Sequence, residues 1–280
     1  MFKGNKIIIE KSTEFVPGHI FECGQVFRYK KINDDYEVVS MHHRAIVRVH
    51  KNNTFEIECD DVKYFANYFD LDKNYANIKS RLKGNPTLDA AMQFGSGIRI
   101  LKQDLFETII SFIISANNNI PRIRKTLEVI SREFGKNMSE YFAFPKQRDL
   151  AHATEEFFRT AGAGYRAKYL VETIKRLNDE YILGLQMATT VDARKSLMKL
   201  MGVGRKVADC ILLFALSRFE VFPVDTWLDK VGQEYFGMQG YPRAEISKCL
   251  AIKFGNLAGF AQQYLFYYRR EMSKKMEDEK

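Results

Sequence analysis

Along roughly the first sixty residues, apolar and polar positions alternate. QVFRYKK (25–31), YEVVSM (36–41), RAIVRVH (44–50) and TFEIEC (54–59) are rich in β-branched and aromatic residues, and polar INDD (32–35) and KNN (51–53) interrupt them. A period of two with such breaks predicts an antiparallel meander with one solvated face. From DVKYFANYF (61–69) onward the period becomes helical. NPTLDAAMQF (85–94), DLFETIISFIISA (104–116), IPRIRKTLEVISREFG (120–135), AKYLVETIKRLNDEYI (167–182), DARKSLMKL (192–200), RKVADCILLFAL (205–216) and AGFAQQYLFYYRREMS (258–273) follow. Asp104 with Glu107 three positions on makes a capping-box start. The polar tail RREMSKKMEDEK (269–280) is expected to fray. The pattern predicts an α+β chain, β-rich at first and helical from about residue 61 on.

One interruption stands out. LMGVGRKVADC (200–210) breaks two amphipathic segments with a turn too short for anything but a tight hairpin. Gly202 and Gly204 are expected to take positive φ and admit another backbone. The N–H groups of the loop and of the next helix then form a concavity that suits a phosphate. An ordinary helix–turn–helix corner would use the same glycines.

Composition narrows the picture modestly. Lys and Arg number 43 against 35 Asp and Glu, a net charge of +8. That excess is compatible with a phosphate-rich partner. No window reaches the ~18 apolar residues of a membrane span, and the N-terminal apolar run is too short for a signal sequence. A cytoplasmic protein with no membrane partner is expected. Cys23, Cys59, Cys210 and Cys249 include no CxxC pair, so no disulfide framework, iron–sulfur cluster or zinc site is expected. His42 and His43, read as strand neighbours, are expected to face opposite sides and to share no metal.

The segment FEVFPVDTWLDK (219–230) changes the weight of the hairpin, because Asp225 follows extended FPV, 19 residues after Lys206. GVGRKVADC together with PVD resembles the helix–hairpin–helix superfamily of DNA base-excision glycosylases. CGQVFRY (23–29), GIRILKQDLFETIISFIISANNNIPRI (97–123), GAGYRAKYL (162–170) and AGFAQQYLF (258–266) occur in the order of its 8-oxoguanine branch. The resemblance covers most of the chain. It implies an N-terminal domain over 1–90 built on an antiparallel sheet similar to one repeat of the TATA-binding protein, followed by a helical glycosylase body over 91–280 with its hairpin at about 200–205. It also implies a bifunctional glycosylase and abasic-site lyase, monomeric, prokaryotic and nucleoid-associated, acting on double-stranded DNA that contains oxidised guanine.

The same resemblance assigns roles to residues. Lys206 is the nucleophile at the sugar C1′, and the resulting Schiff base supports β-elimination. An exposed lysine titrates near ~10.4, so burial or a cationic neighbour is expected to depress Lys206; Arg205 is expected to point elsewhere. Asp225 stabilises the positive charge developing on the sugar, and can cap the helix behind it as well. Asp209 is read as structural. 8-Oxoguanine carries a hydrogen on N7 where guanine has an acceptor, so discrimination there needs an acceptor; the resemblance gives this to the backbone at Gly24. Gln262 reads the Watson–Crick edge, Phe266 stacks on the base, and Cys210 packs on its other side. Asn117 fills the space the flipped base leaves. Arg122 and Arg166 donate to the orphaned cytosine, Tyr165 wedges beside the opposite strand, Lys168 touches phosphate, and Gly202, Val203 and Gly204 form the hairpin contact. No catalytic cofactor is implied, and a monovalent cation on the hairpin carbonyls is the one candidate ion. The chain departs from the family pattern at Trp227, where members often carry a phosphate-binding histidine; Trp227 is read as packing. Two other readings stand beside this one: a glycosylase for alkylated or other oxidised bases, and a non-catalytic helix–hairpin–helix DNA-binding module.

Overall fold

The computed structural model describes residues 2–10 and 12–278. Its sheet comprises β1 (Phe2–Lys3), β2 (Lys6–Ile9), β3 (Tyr29–Ile32), β4 (Asp35–Ser40), β5 (His43–His50) and β6 (Thr54–Cys59). The order is β1-β2-β6-β5-β4-β3, and every pairing is antiparallel. The meander is therefore β3 to β6, as the alternation predicts. β2 adds to its β6 edge with Ile7 opposite Ile57, an extension the pattern did not reveal. β3 begins only at Tyr29: the preceding Gln25–Phe27 is buried connecting chain.

The helices are α1 (Pro17–Phe21), α2 (Val62–Tyr68), α3 (Tyr75–Leu82), α4 (Pro86–Phe94), α5 (Leu105–Ser115), α6 (Ile120–Phe134), α7 (Glu155–Phe158), α8 (Arg166–Arg176), α9 (Asp179–Met187), α10 (Thr190–Leu197), α11 (Arg205–Phe214), α12 (Thr226–Tyr235), α13 (Arg243–Phe254) and α14 (Ala258–Asp278). The predicted helix over 167–182 is two helices, because Asn178 accepts the Tyr181 N–H and starts α9 afresh. Where fraying was expected, α14 runs on to Asp278 and Arg269 pairs with Glu234 at 2.8 Å; residues 279 and 280 of the expected tail lie outside the described residues. The Asp104 cap on α5 is present, but Glu107 does not reach back to complete the box. Its carboxylate instead accepts from the Met41 N–H and pairs with Arg28.

Two apolar cores form. The sheet's inner face, with Val38, Val47 and Ile57, closes against Ile20 and Phe21 of α1 and Phe65 and Tyr68 of α2. The larger core lies among the helices. The expected division at residue 90 is not where these cores part: α3 and α4 pack into the helical core, as do Cys23 and Phe27, while Leu101 packs under the sheet. The His42 and His43 rings also depart from expectation. They lie 4.1 Å apart, because His42 sits in the β4–β5 turn rather than in a strand, after Met41 at φ 51°. His43 Nδ1 is 3.3 Å from Asp60.

The chain crosses between the cores through a polar staple. Gln25, 0 % exposed, donates from Nε2 to the carbonyls of Ile20 (2.9 Å) and Arg99 (2.8 Å), and its Oε1 accepts the Leu101 N–H (2.9 Å). Arg99 is itself buried and donates to the carbonyls of Phe69 and Lys73. A buried group deprived of its partner costs about 1–3 kcal/mol. Gln25→Ala deprives three backbone groups at once, so it should lower unfolding stability by roughly 2–5 kcal/mol. Urea denaturation followed by circular dichroism measures this; a loss under about half a kcal/mol would show that the staple is replaceable by water.

Candidate active site

α10 and α11 form the predicted hairpin. Gly202 takes φ +83°, and a Cβ there would lie 2.4 Å from Tyr169 Cδ2, so both the turn and the packing of α8 require glycine. Gly204 differs from expectation. Its φ is −85°, a value open to any residue, and a Cβ there would meet nothing within 4 Å. It is the N-cap of α11 without a side-chain cap, so the first N–H groups of that helix stay uncovered.

Lys206 lies in the first turn of α11 and opens onto a cavity of about 780 Å³. Its Nζ is 5.6 Å from the centroid of the Phe112 ring. Asp225 comes to the same cavity from the start of α12. Its Oδ1 accepts the N–H groups of Trp227 and Leu228, both at 3.0 Å, so it does cap the helix. Burial opposes the charge on Lys206, but the Cys210 sulfur and the Asp225 carboxylate outweigh burial and hold the ammonium above the ordinary lysine range. The expected depression is thereby corrected. Burial pushes the Cys210 thiol itself up to about 11. Arg205 runs along α11 toward Asp209 at 3.9 Å, yet, contrary to expectation, it lines the same cavity as Lys206. Asp209 is buried and held by Arg194 Nε at 2.5 Å, which ties α10 to α11.

The opposite wall comes from chain ends far apart. Gly24, at φ +80°, faces α14: a Cβ there would lie 3.1 Å from both Phe266 Cε1 and Arg270 Nη1. Gln263 donates to the Cys23 carbonyl at 2.8 Å, and Arg270 Nη2 donates to that of Glu22. Gln262 lies one turn before Phe266, but it is 5 % exposed and does not line the cavity, and its Oε1 is buried without a hydrogen-bond partner. Trp227 packs on the helical core and lines the cavity, with Lys230 Nζ 5.4 Å from its ring.

The rim carries the remaining residues. Asn117 is exposed at φ 49°, and Arg166 fixes that strained turn by donating to the carbonyls of Asn117 and Ala116, each at 2.6 Å, and to Ala163. Arg166 is therefore buried and largely committed; of its five N–H donors these bonds use three. Arg122 is exposed near the start of α6, whose Asn119 cap accepts its backbone N–H at 3.0 Å. Tyr165 is 52 % exposed, with the Arg166 guanidinium 4.3 Å from its ring centre, and Lys168 is exposed one turn along. Cys210 is buried one turn behind Lys206. Phe112 and Arg270 are among the wall residues that the sequence does not single out. Phe112 gave no signal apart from the apolar period of α5. Arg270 did: it lies four residues after Phe266, on the same helix face.

The cysteines make one aspect of this geometry testable. Burial raises the thiols of Cys23, Cys59 and Cys210 to about 11, whereas Cys249 is half-buried. Thiolate is the reactive form. Brief iodoacetamide treatment at neutral pH, read by peptide mass mapping, should label Cys249 and spare the other three. Early labelling of Cys210 would show an ionised or open thiol beside Lys206.

Comparison with known proteins bears on the whole arrangement. Residues 7–109 match the family described as 8-oxoguanine DNA glycosylase, N-terminal domain. The N-glycosylase/DNA lyase OGG1 of Arabidopsis thaliana is 31% identical over 91% of this chain and 77% of its own length. The N-glycosylase/DNA lyase of Saccharomyces cerevisiae is 29% identical over 95% and 86%. A solved structure of the Clostridium acetobutylicum 8-oxoguanine glycosylase/lyase, in complex with double-stranded DNA containing cytosine opposite 8-oxoG, superposes with a TM-score of 0.90 at 38% identity, covering 97% of each chain. The helix–hairpin–helix chain described here therefore belongs to the 8-oxoguanine DNA glycosylase/lyase family.

Proposed function

We propose that this protein excises 8-oxoguanine from duplex DNA, preferentially opposite cytosine, and then cleaves the abasic strand. The observation that carries the reading is the shared cavity: Lys206 and Asp225 on one wall, Gly24 and Phe266 on the other. A non-catalytic hairpin module needs no such cavity. The named relatives also favour this reading over a glycosylase for alkylated bases.

In this mechanism the damaged nucleotide leaves the stack at a cost of a few kcal/mol. Asn117 takes up the vacated space and Tyr165 wedges beside the partner strand. The base stacks on Phe266 with Cys210 on its other side, Gln262 Oε1 turns into the cavity to accept from its Watson–Crick edge, and the Gly24 carbonyl accepts the N7 hydrogen. The Lys206 ammonium must lose its proton before attack. The arriving base displaces water and deepens burial, the influence that drives the amine toward neutrality. The amine then bonds to C1′ as the C1′–N9 pair leaves with the base, and Asp225 offsets the charge on the sugar. The C1′–O4′ bond of this adduct then breaks as a proton passes from the amine nitrogen to O4′, which opens the sugar to a protonated Schiff base, and loss of a C2′ proton from it expels the 3′ phosphate. Lys168, the hairpin of Gly202, Val203 and Gly204, and the uncovered N–H groups that begin α11 grip phosphates.

No cofactor enters these steps. A monovalent cation would sit on hairpin carbonyls such as that of Val203 and would add positive charge toward a phosphate. Among the described residues no helix is long and apolar enough to cross a membrane. Action as a monomer on nucleoid DNA in a prokaryotic cytoplasm completes the reading.

Excision from duplexes carrying 8-oxoguanine, 3-methyladenine or no lesion tests the substrate. Activity on the first alone is expected; an enzyme that prefers 3-methyladenine would overturn the reading. Lys206→Gln should abolish excision while duplex binding persists, since the phosphate contacts lie elsewhere; undiminished strand cleavage would contradict the assignment. For the opposite base, cytosine offers acceptors at N3 and O2 to the exposed Arg122 fork, Arg166 being committed to the Asn117 turn, whereas adenine presents a donor amine. A good arginine-to-base contact contributes ~1–3 kcal/mol of discrimination. Arg122→Ala should therefore relax the cytosine preference by roughly one to two orders of magnitude in single-turnover excision from four duplexes differing only in that base. Equal wild-type rates on all four would show that Arg122 serves phosphate only.

A further inference from the structure

One face of α8 joins the two grips that the mechanism places on DNA, the Tyr165 wedge and the hairpin at 202–204. Tyr165, Tyr169, Thr173 and Arg176 fall at i, i+4, i+8 and i+11, a single helical stripe. At its far end the stripe holds the hairpin. Arg176 Nη1 donates to the Lys199 carbonyl at 3.1 Å, and Thr173 Oγ1 donates to that of Met201 at 3.5 Å. In its middle the Tyr169 ring lies on Gly202, so closely that a Cβ there would fall 2.4 Å from Cδ2 and 2.9 Å from Cγ. The same ring meets Tyr165 in a T-shaped contact, with ring centres 5.8 Å apart and planes at 77°. Tyr165 in turn has the Arg166 guanidinium 4.3 Å from its ring centre, and Arg166 holds the Asn117 turn. Asn117 and Gly202 are thus connected through Arg166, Tyr165 and Tyr169 in succession.

We propose that Tyr169 is a positioning residue that fixes the spacing between wedge and hairpin, so that gripping phosphate and prising open the base stack become one event. This rests on the reading of Tyr165 as the wedge and of the hairpin as the phosphate contact. Duplex DNA is stiff over the length of a protein footprint, and bending it costs free energy. If the two grips moved independently, the hairpin could hold straight DNA while Tyr165 lay retracted. With the Tyr169 ring packed between them they keep their distance, because closely packed groups resist displacement. A duplex seated on the hairpin then meets Tyr165 at a set distance, and a bent duplex accommodates both. The free energy of phosphate binding is thereby applied to the stack, and the nucleotide is displaced toward the cavity that Lys206 lines. α11 follows directly from the hairpin, so the same contact sets Lys206 relative to the wedge.

The test is a double-mutant cycle, which isolates the coupling between two residues. Full-length wild type, Tyr165→Ala, Tyr169→Leu and the double variant are mixed in stopped flow with two duplexes. Both carry 2-aminopurine, which brightens on unstacking, beside the target nucleotide. The target is 8-oxoguanine in one and a tetrahydrofuran abasic analogue in the other, each opposite cytosine. Tyr169→Leu should slow the fluorescence rise roughly tenfold, a coupling of the size found between contacting residues. In the Tyr165→Ala background the same change should slow it less than about twofold. Tyr169→Phe keeps the ring and should restore most of the rate. Tyr169→Met, which fills more of the ring's volume, repeats the cycle should circular dichroism show that the Leu variant fails to fold. Losses that simply multiply would mean that Tyr169 only packs the hairpin onto α8, and would overturn the proposal; so would an unchanged rate in Tyr169→Leu. The tetrahydrofuran duplex holds no base to excise, so it separates the coupling from the substrate. Wild-type protein that distorts it with the cycle intact, yet never excises 8-oxoguanine, would overturn the substrate reading and uphold the coupling.

Discussion

The buried carboxamide of Gln25 is the constraint on which the site depends. Its three backbone bonds fix the chain where it passes from the sheet to the helical body. The neighbouring carbonyls of Glu22 and Cys23 are then free to accept from Arg270 and Gln263 of α14. Gly24 is thereby held against Phe266 from a position some 240 residues away in the chain. A pocket that must distinguish N7–H from a bare N7 depends on the position of one carbonyl, so its supporting bonds must be stiff, buried and fully paired. Apolar packing alone would not give that precision, because it is non-directional.

The other wall is built from two helix beginnings. Lys206 lies in the first turn of α11 and Asp225 caps α12. Asp225 Oδ1 is committed to the cap by two N–H bonds, so the carboxylate cannot swing away from the cavity. The group that orders the helix is therefore also the group that steadies the ammonium. Asp209 acts behind them by joining α10 to α11 through Arg194, which sets where the hairpin delivers Lys206. Structural and chemical duties coincide here because both need a fixed carboxylate beside a helix N-terminus.

Much of this was legible in the sequence, for physical reasons that can be named. The period-two segments became β4, β5 and β6, and the apolar stripes became α4, α5, α6 and α11, since burial of one face dictates the period. GVG marked the hairpin because Gly202 has no room for a side chain beside Tyr169. What was missed depends on tertiary partners. β2 exists by pairing with β6, the turn of α14 past Phe266 is held by Arg269 on Glu234 and Arg270 on the Glu22 carbonyl, and the contact of His42 with His43 comes from a left-handed Met41. The Lys206 ammonium could not be judged from burial alone, because its state depends on Cys210 and Asp225 together, which lie on two different helices.

The central claim is that the Lys206 amine forms the covalent link to the sugar. Borohydride reduction during reaction with a duplex carrying 8-oxoguanine opposite cytosine, followed by proteolysis and mass mapping of the DNA-bound peptide, tests it most directly. The account predicts a stable adduct located on Lys206. An adduct on another lysine or on the N-terminal amine, or excision that proceeds with nothing trapped, would contradict it.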